Sequence, residues 1–181
     1  MKHLDTLGER ERALVEERRR TGYRVERLTR LGGELEPHAR ALVGRLVPGA
    51  GSDVDLIAFV DTHLAHTLGR GDRAPGTPPT PELLQAGLRT LAAMGFASLP
   101  DAEQDSLISR MRHGQADAEL GVPAKEFVDR LLTLALAGYL AHPRTWERIG
   151  FNGPAYPDGY AWISRGAVAR RHEGFVGADR L

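Results

Sequence analysis

A chain of 181 residues and 19.8 kDa has the size of one domain, and its 41% hydrophobic and 27% charged residues supply enough apolar material for a core to exclude global disorder. Twenty-four basic residues balance 24 acidic ones for a net charge of +0, so no whole-protein field draws the chain to nucleic acid or to an anionic bilayer. Cysteine is absent, which excludes disulfides, thiolate metal sites and a cysteine nucleophile.

Residues 1–34 are dense in Arg and Glu. Leu4, Leu7, Leu14, Val15, Val25, Leu28 and Leu31 thread through them at loosely helical spacing, and Thr21-Gly22 breaks the pattern. This predicts a charged helical arm with little burial of its own. Its removal is expected to leave the melting temperature of the remainder nearly unchanged.

Residues 35–142 carry the core patterns. Ala39, Leu42, Val43, Leu46 and Val47 form one helical stripe that stops at Pro48-Gly49. Ser52 or Asp53 is placed to cap the next helix, which carries Leu56, Ile57, Phe59, Val60, Leu64 and Leu68 as far as Gly69. The stretch 70–80 is rich in Pro and Gly and reads as a surface loop; the Arg70-Gly71-Asp72 tripeptide inside it is too short to signify adhesion. Thr80-Pro81-Glu82 opens a helix that runs to about Met94, and Gly95 ends it. Phe96 and Leu99 turn back to the core before a helix from Pro100 to Gly114. A polar stretch follows, and Pro123 then opens the most apolar helix, Phe127 to Leu140, expected at the centre of the bundle.

In residues 143–181 the periodicity disappears. Trp146, Phe151, Tyr156, Tyr160 and Trp162 crowd into a segment punctuated by Gly and Pro, which predicts an irregular tail that wraps the bundle or docks on something else. No alternating strand pattern and no repeat is visible. The expected fold is all-α: a bundle of about five to six helices with a charged N-terminal arm and an aromatic-rich C-terminal tail, a single domain overall.

Candidate chemistry is sparse. His63 and His66 lie three apart on one helix, a spacing seen in metal sites, yet no Glu-x-x-His pair accompanies them. No nucleophile elbow surrounds any serine, and neither a dinucleotide nor a P-loop glycine motif occurs. The expectation is a chain without catalytic, cofactor-binding or metal-binding residues. Two alternatives stay open: a stand-alone helical enzyme with a metal site near His63, His66 and His142, and a homo-oligomeric scaffold.

Three blocks in order carry more. LVPGA at 46–50 precedes a helix with FVDTHL at 59–64; GFASLPDAEQDSL follows at 95–107; and EFVDRLLTLALAGYLAHPRTWERIGFNGPAYPDGY closes at 126–160. Over about residues 35–162 this resembles the gluconate 2-dehydrogenase subunit 3 family. The resemblance implies a non-catalytic small subunit that supports the folding, stability or export of a large FAD-dependent dehydrogenase of the glucose–methanol–choline class, often beside a cytochrome subunit. FAD is then expected in the partner and no cofactor in this chain. Members of the family often carry a twin-arginine signal, and some carry cysteines; Arg18-Arg19-Arg20 is followed by no apolar region and cysteine is lacking. The expected location is therefore cytoplasmic, or periplasmic by co-export or after trimming, with no direct membrane insertion. Aromatic side chains suit a protein interface, which singles out Trp146, Phe151, Tyr156, Tyr160 and Trp162 with Tyr139 and His142 nearby. Trp146 and Phe151 serve equally well as core for the chain's own bundle.

Overall fold

The computed structural model describes residues 8–50, 53–66 and 75–151. Leu4, Leu7, Ser52, Leu68, Gly69, the Arg70–Asp72 tripeptide, Tyr156, Tyr160 and Trp162 lie outside the described residues. Those described form α1 (Glu9–Thr21), α2 (Leu35–Leu46), α3 (Leu56–Ala65), α4 (Thr80–Ala93), α5 (Asp101–Arg112), α6 (Asp117–Leu120), α7 (Ala124–Ala141) and α8 (Pro143–Ile149), with one 3-10 turn at Phe96–Ser98 and no strand among them.

The apolar helix α7 occupies the middle and touches α2, α3, α4, α5, α6 and α8. Its Phe127, Val128, Leu131 and Ala135 are fully buried, and each large apolar side chain so placed contributes about 1.5–3 kcal/mol. Two glycines let its neighbours approach. A Cβ on Gly87 of α4 would stand 2.5 Å from the Phe127 ring, and one on Gly138 of α7 would stand 2.6 Å from the ring of Phe59 on α3. In each contact one helix presents an aromatic ring to a notch in the other, which fixes the height of α3 and α4 along α7.

Charged residues fasten the remaining edges. Arg45 of α2 reaches both Asp101, at 2.8 Å, and Asp105 of α5. Arg40 pairs with Glu36 and with Asp55. Asp55, not Ser52 or Asp53, caps α3, accepting the Ala58 N–H at 3.0 Å. Burial pushes its carboxyl up, but the bonds from Arg40 and Ala58 outweigh burial and leave it below the usual carboxylate range. Thr80 is the first residue of α4 rather than its cap.

Two sequence expectations are corrected. The stretch from Pro143 is not irregular at its start: His142 and Pro143 open the seven-residue α8, which Gly150 closes. So short a helix shows barely two turns, and apolar periodicity cannot mark it. The arm, too, is half core. α1 ends at Thr21 with Gly22 in the left-handed region, and beyond it Leu28 and Leu31 are buried in the main cluster. Removal of residues 1–31 takes away core side chains, contrary to the expectation from charge density, which hid two leucines among charged and polar neighbours.

Candidate functional site

Sequence reasoning gathers its candidate residues at the C-terminal end of α7, and there the structure forms an aromatic knot. Its centre is Tyr23. Gly22 and Tyr23 both take left-handed φ values, 61° and 66°, a conformation a tyrosine adopts only when its side chain is firmly held. Tyr23 is held on three sides. Its ring lies 5.0 Å from Phe59 and 4.9 Å from His142, edge-on to the latter, and its hydroxyl donates to the Gly138 carbonyl at 3.1 Å. Burial raises the phenol's pKa, with the charge of Arg18 opposing.

His142 is fully buried at the junction of α7 and α8. Its Nδ1 accepts the Arg144 N–H at 3.2 Å and so caps α8, while Nε2 stands 3.0 Å from the Arg18 carbonyl at the end of α1. An acceptor at Nδ1 requires the proton on Nε2, which then donates to Arg18. The ring is neutral, and burial lowers its pKa from the ordinary 6.5. One imidazole thus joins three helices, with both nitrogens used inside the chain.

Trp146 is buried as well; its indole N–H donates to the Leu140 carbonyl at 2.8 Å, and its ring meets Phe151 edge-on at 5.6 Å. Tyr139 is half-buried with the Arg148 guanidinium 6.0 Å above its ring. Arg148 and Arg144 in turn bind the loop between α2 and α3, through the Gly49 carbonyl and Asp53. The four described members of the candidate set, Tyr139, His142, Trp146 and Phe151, therefore come together, but His142 and Trp146 lie inside the knot rather than on an outer surface. Thr145 shares this burial, and its hydroxyl has no partner among the described residues. Thr145→Val should raise stability by about 1 kcal/mol, because the substitution removes an unpaired polar group at constant shape; thermal unfolding checks this.

Outside the knot, beside the charged Glu147 and Arg148, apolar side chains are exposed. Leu136 and Leu140, one turn apart on α7, are 37% and 50% exposed, and Ile149 and Phe151 at the end of α8 are 55% and 37% exposed. Ala137 and Ala141 extend the same face of α7. The Leu140 carbonyl and the Phe151 ring both meet the Trp146 indole, which places the two apolar parts at the same end of the domain.

A second locus was missed by motif reasoning. Asp61, on α3, is buried and accepts four hydrogen bonds. The backbone N–H and hydroxyl of Thr29 reach Oδ2 at 2.8 and 3.0 Å, and the N–H groups of Arg30 and Leu31 each reach Oδ1 at 2.7 Å. A carboxylate at helical spacing from the apolar Ile57 and Leu64 was the available signal, since buried carboxylates require partners. His63, beside it, stacks on Phe59 at 6.3 Å, while His66 is exposed past the end of α3. Among the described residues no group of three or more His, Asp or Glu side chains converges as metal ligands would.

The fold and this end of it define a small helical domain in which, among the described residues, the side chains of Tyr23, His142 and Trp146 bond within the chain and apolar side chains of α7 and the α8 end stand exposed beside them. Residues 37–153 match the family model described as gluconate 2-dehydrogenase subunit 3, and the chain belongs to that family. The family is named for a subunit of a dehydrogenase complex. No curated protein and no solved structure matches the chain.

Proposed function

We propose that this chain is a non-catalytic accessory subunit that supports the folding, stability or maturation of an FAD-dependent sugar or alcohol dehydrogenase large subunit, in a complex that also takes a cytochrome subunit. The observation that carries this reading is the match of residues 37–153 to the gluconate 2-dehydrogenase subunit 3 family, and the exposed apolar residues Leu136, Leu140, Ile149 and Phe151 support it, because apolar surface on a charged domain favours a protein partner. FAD belongs to the large subunit in this reading, and the two chains meet in the cytoplasm before any transport of the complex. The aromatic residues Tyr156, Tyr160 and Trp162 extend the contact beyond those exposed residues.

Truncation of an aromatic anchor in a desolvated interface typically costs about 2 kcal/mol or more, a loss of affinity of about thirtyfold. Tyr156→Ala and Trp162→Ala, each co-expressed with the large subunit, should lower the recovered complex and its flavin content while leaving the small subunit folded. Full recovery of active complex with both variants would remove the tail from the interface.

A further inference from the structure

Three glycines lie inside helices of the described residues: Gly44 of α2, Gly87 of α4 and Gly138 of α7. Glycine weakens a helix relative to alanine, so each needs a reason in what approaches it. For Gly87 and Gly138 the reason is an aromatic ring, that of Phe127 or Phe59, seated where a Cβ would stand. Gly44 has no such neighbour. A Cβ there would meet nothing within 4 Å among the described residues, its φ is not left-handed, and the residue that caps the end of α2 is Val47. Neither packing within these residues nor helix termination accounts for it.

Gly44 opens on a groove of about 580 Å³ between α2 and the start of α3, with Val43, Val47, Val54 and Ile57 along it. A volume of that order with an apolar lining suits a ring. The charged residues on the lining are Arg24, Arg40 and Asp55, two guanidiniums against one carboxylate, which favours an acidic group beside the ring. Arg40 spends Nε on Glu36 and one N–H of each terminal nitrogen on Asp55, which leaves two of a guanidinium's five N–H groups for an outside acceptor. The groove also adjoins the exposed apolar residues of α8. Gly49, on its lining, accepts a hydrogen bond from Arg148, and Ile149 beside that arginine is exposed, so a partner seated on the end of α8 meets the groove as well. We infer that Gly44 and its groove receive an aromatic side chain of the large subunit, flanked by an acidic residue, in the way that Gly87 receives Phe127. The inference rests on the accessory reading, which supplies the partner.

Gly44→Ala and Gly44→Leu fill the notch, and both should leave the free chain folded. The added Cβ enters open space, so Gly44→Ala should raise the melting temperature of the free chain by about 1–4 °C. Co-expressed with the large subunit, Gly44→Leu should nevertheless lower the recovered complex by about tenfold or more, and Gly44→Ala by less. Ser106→Leu, on the exposed face of α5, should leave recovery unchanged. In valine-labelled chain, the methyl resonances of Val43 and Val47 should move upfield when the complex forms, the ring-current mark of an aromatic neighbour. Equal recovery with Gly44→Leu and wild type, a lower melting temperature in Gly44→Ala, or methyls that do not move upfield would overturn the inference. So would self-association of the free chain that Gly44→Leu abolishes, which would give the groove to a second copy. A wild-type chain that forms no complex overturns the accessory reading and the inference with it, whereas a wild-type complex that Gly44→Leu leaves intact overturns the inference alone.

Discussion

Asp61→Ala is expected to destabilise the domain by about 3–5 kcal/mol, which is a large share of the about 5–15 kcal/mol that holds a domain of this kind folded. The reason is the number of groups that depend on one carboxylate. Thr29, Arg30 and Leu31 all donate their backbone N–H to it, and Leu31 is fully buried, so its N–H has no water to turn to. Removing the acceptor leaves several donors unpaired and releases the segment that carries Leu28 and Leu31 into the core. For a chain of this length the loss corresponds to about 6–20 °C in melting temperature. Asp61→Asn keeps one carbonyl acceptor and turns a donor toward the other N–H groups, so it should fall between the wild type and alanine. A melting temperature unchanged in Asp61→Ala would show that the 29–31 turn is held by its leucines alone.

His142 governs the second large effect. Its pKa in the folded chain lies below the ordinary 6.5, with burial the main cause, and unfolding releases it to the ordinary value. The unfolded state then binds the extra proton first as pH falls, so the stabilisation is complete above about pH 6.5 and is lost on acidification below it. A protonated ring cannot accept from the Arg144 N–H, so α8 loses its cap at the moment a charge appears in the knot. Denaturant unfolding between about pH 7.5 and 5 should show stability falling through the lower half of that range. His142→Asn keeps a side-chain cap for α8 but has no titrating ring and cannot span to the Arg18 carbonyl. The variant should be less stable at neutral pH and show a shallower fall with acid. A slope equal to that of the wild type would assign the acid sensitivity elsewhere.

Much of the fold was legible because the helices announce themselves. The 3.6-residue apolar spacing of α2, α3, α4, α5 and α7, with Pro or Gly at their ends, placed each of them, and the near-continuous apolar run of α7 marked it as the centre. The features that escaped share one cause, which is that their meaning is tertiary. α8 is too short for a period. Leu28 and Leu31 look like isolated apolar residues in a charged arm until Asp61 draws their turn inward. Tyr23 has no motif around it, and only the Gly138 carbonyl and the rings of Phe59 and His142 show why a tyrosine tolerates a left-handed backbone there. Of the candidate interface the sequence showed aromatic crowding around the end of α7, whereas the apolar side chains exposed there among the described residues are Leu136, Leu140, Ile149 and Phe151, with Trp146 and His142 buried. Leu136 and Leu140 read as core in an apolar helix, and only the placement of α8 shows that nothing among the described residues covers them.

The central claim, that the chain serves a flavoprotein rather than a reaction of its own, is tested most directly by expressing the dehydrogenase large subunit with and without this chain and measuring soluble yield and FAD bound per large subunit. The account predicts a severalfold fall in both when the chain is omitted, with yield and flavin restored when it is supplied. A large subunit that is equally soluble, flavin-loaded and active without it would contradict the account.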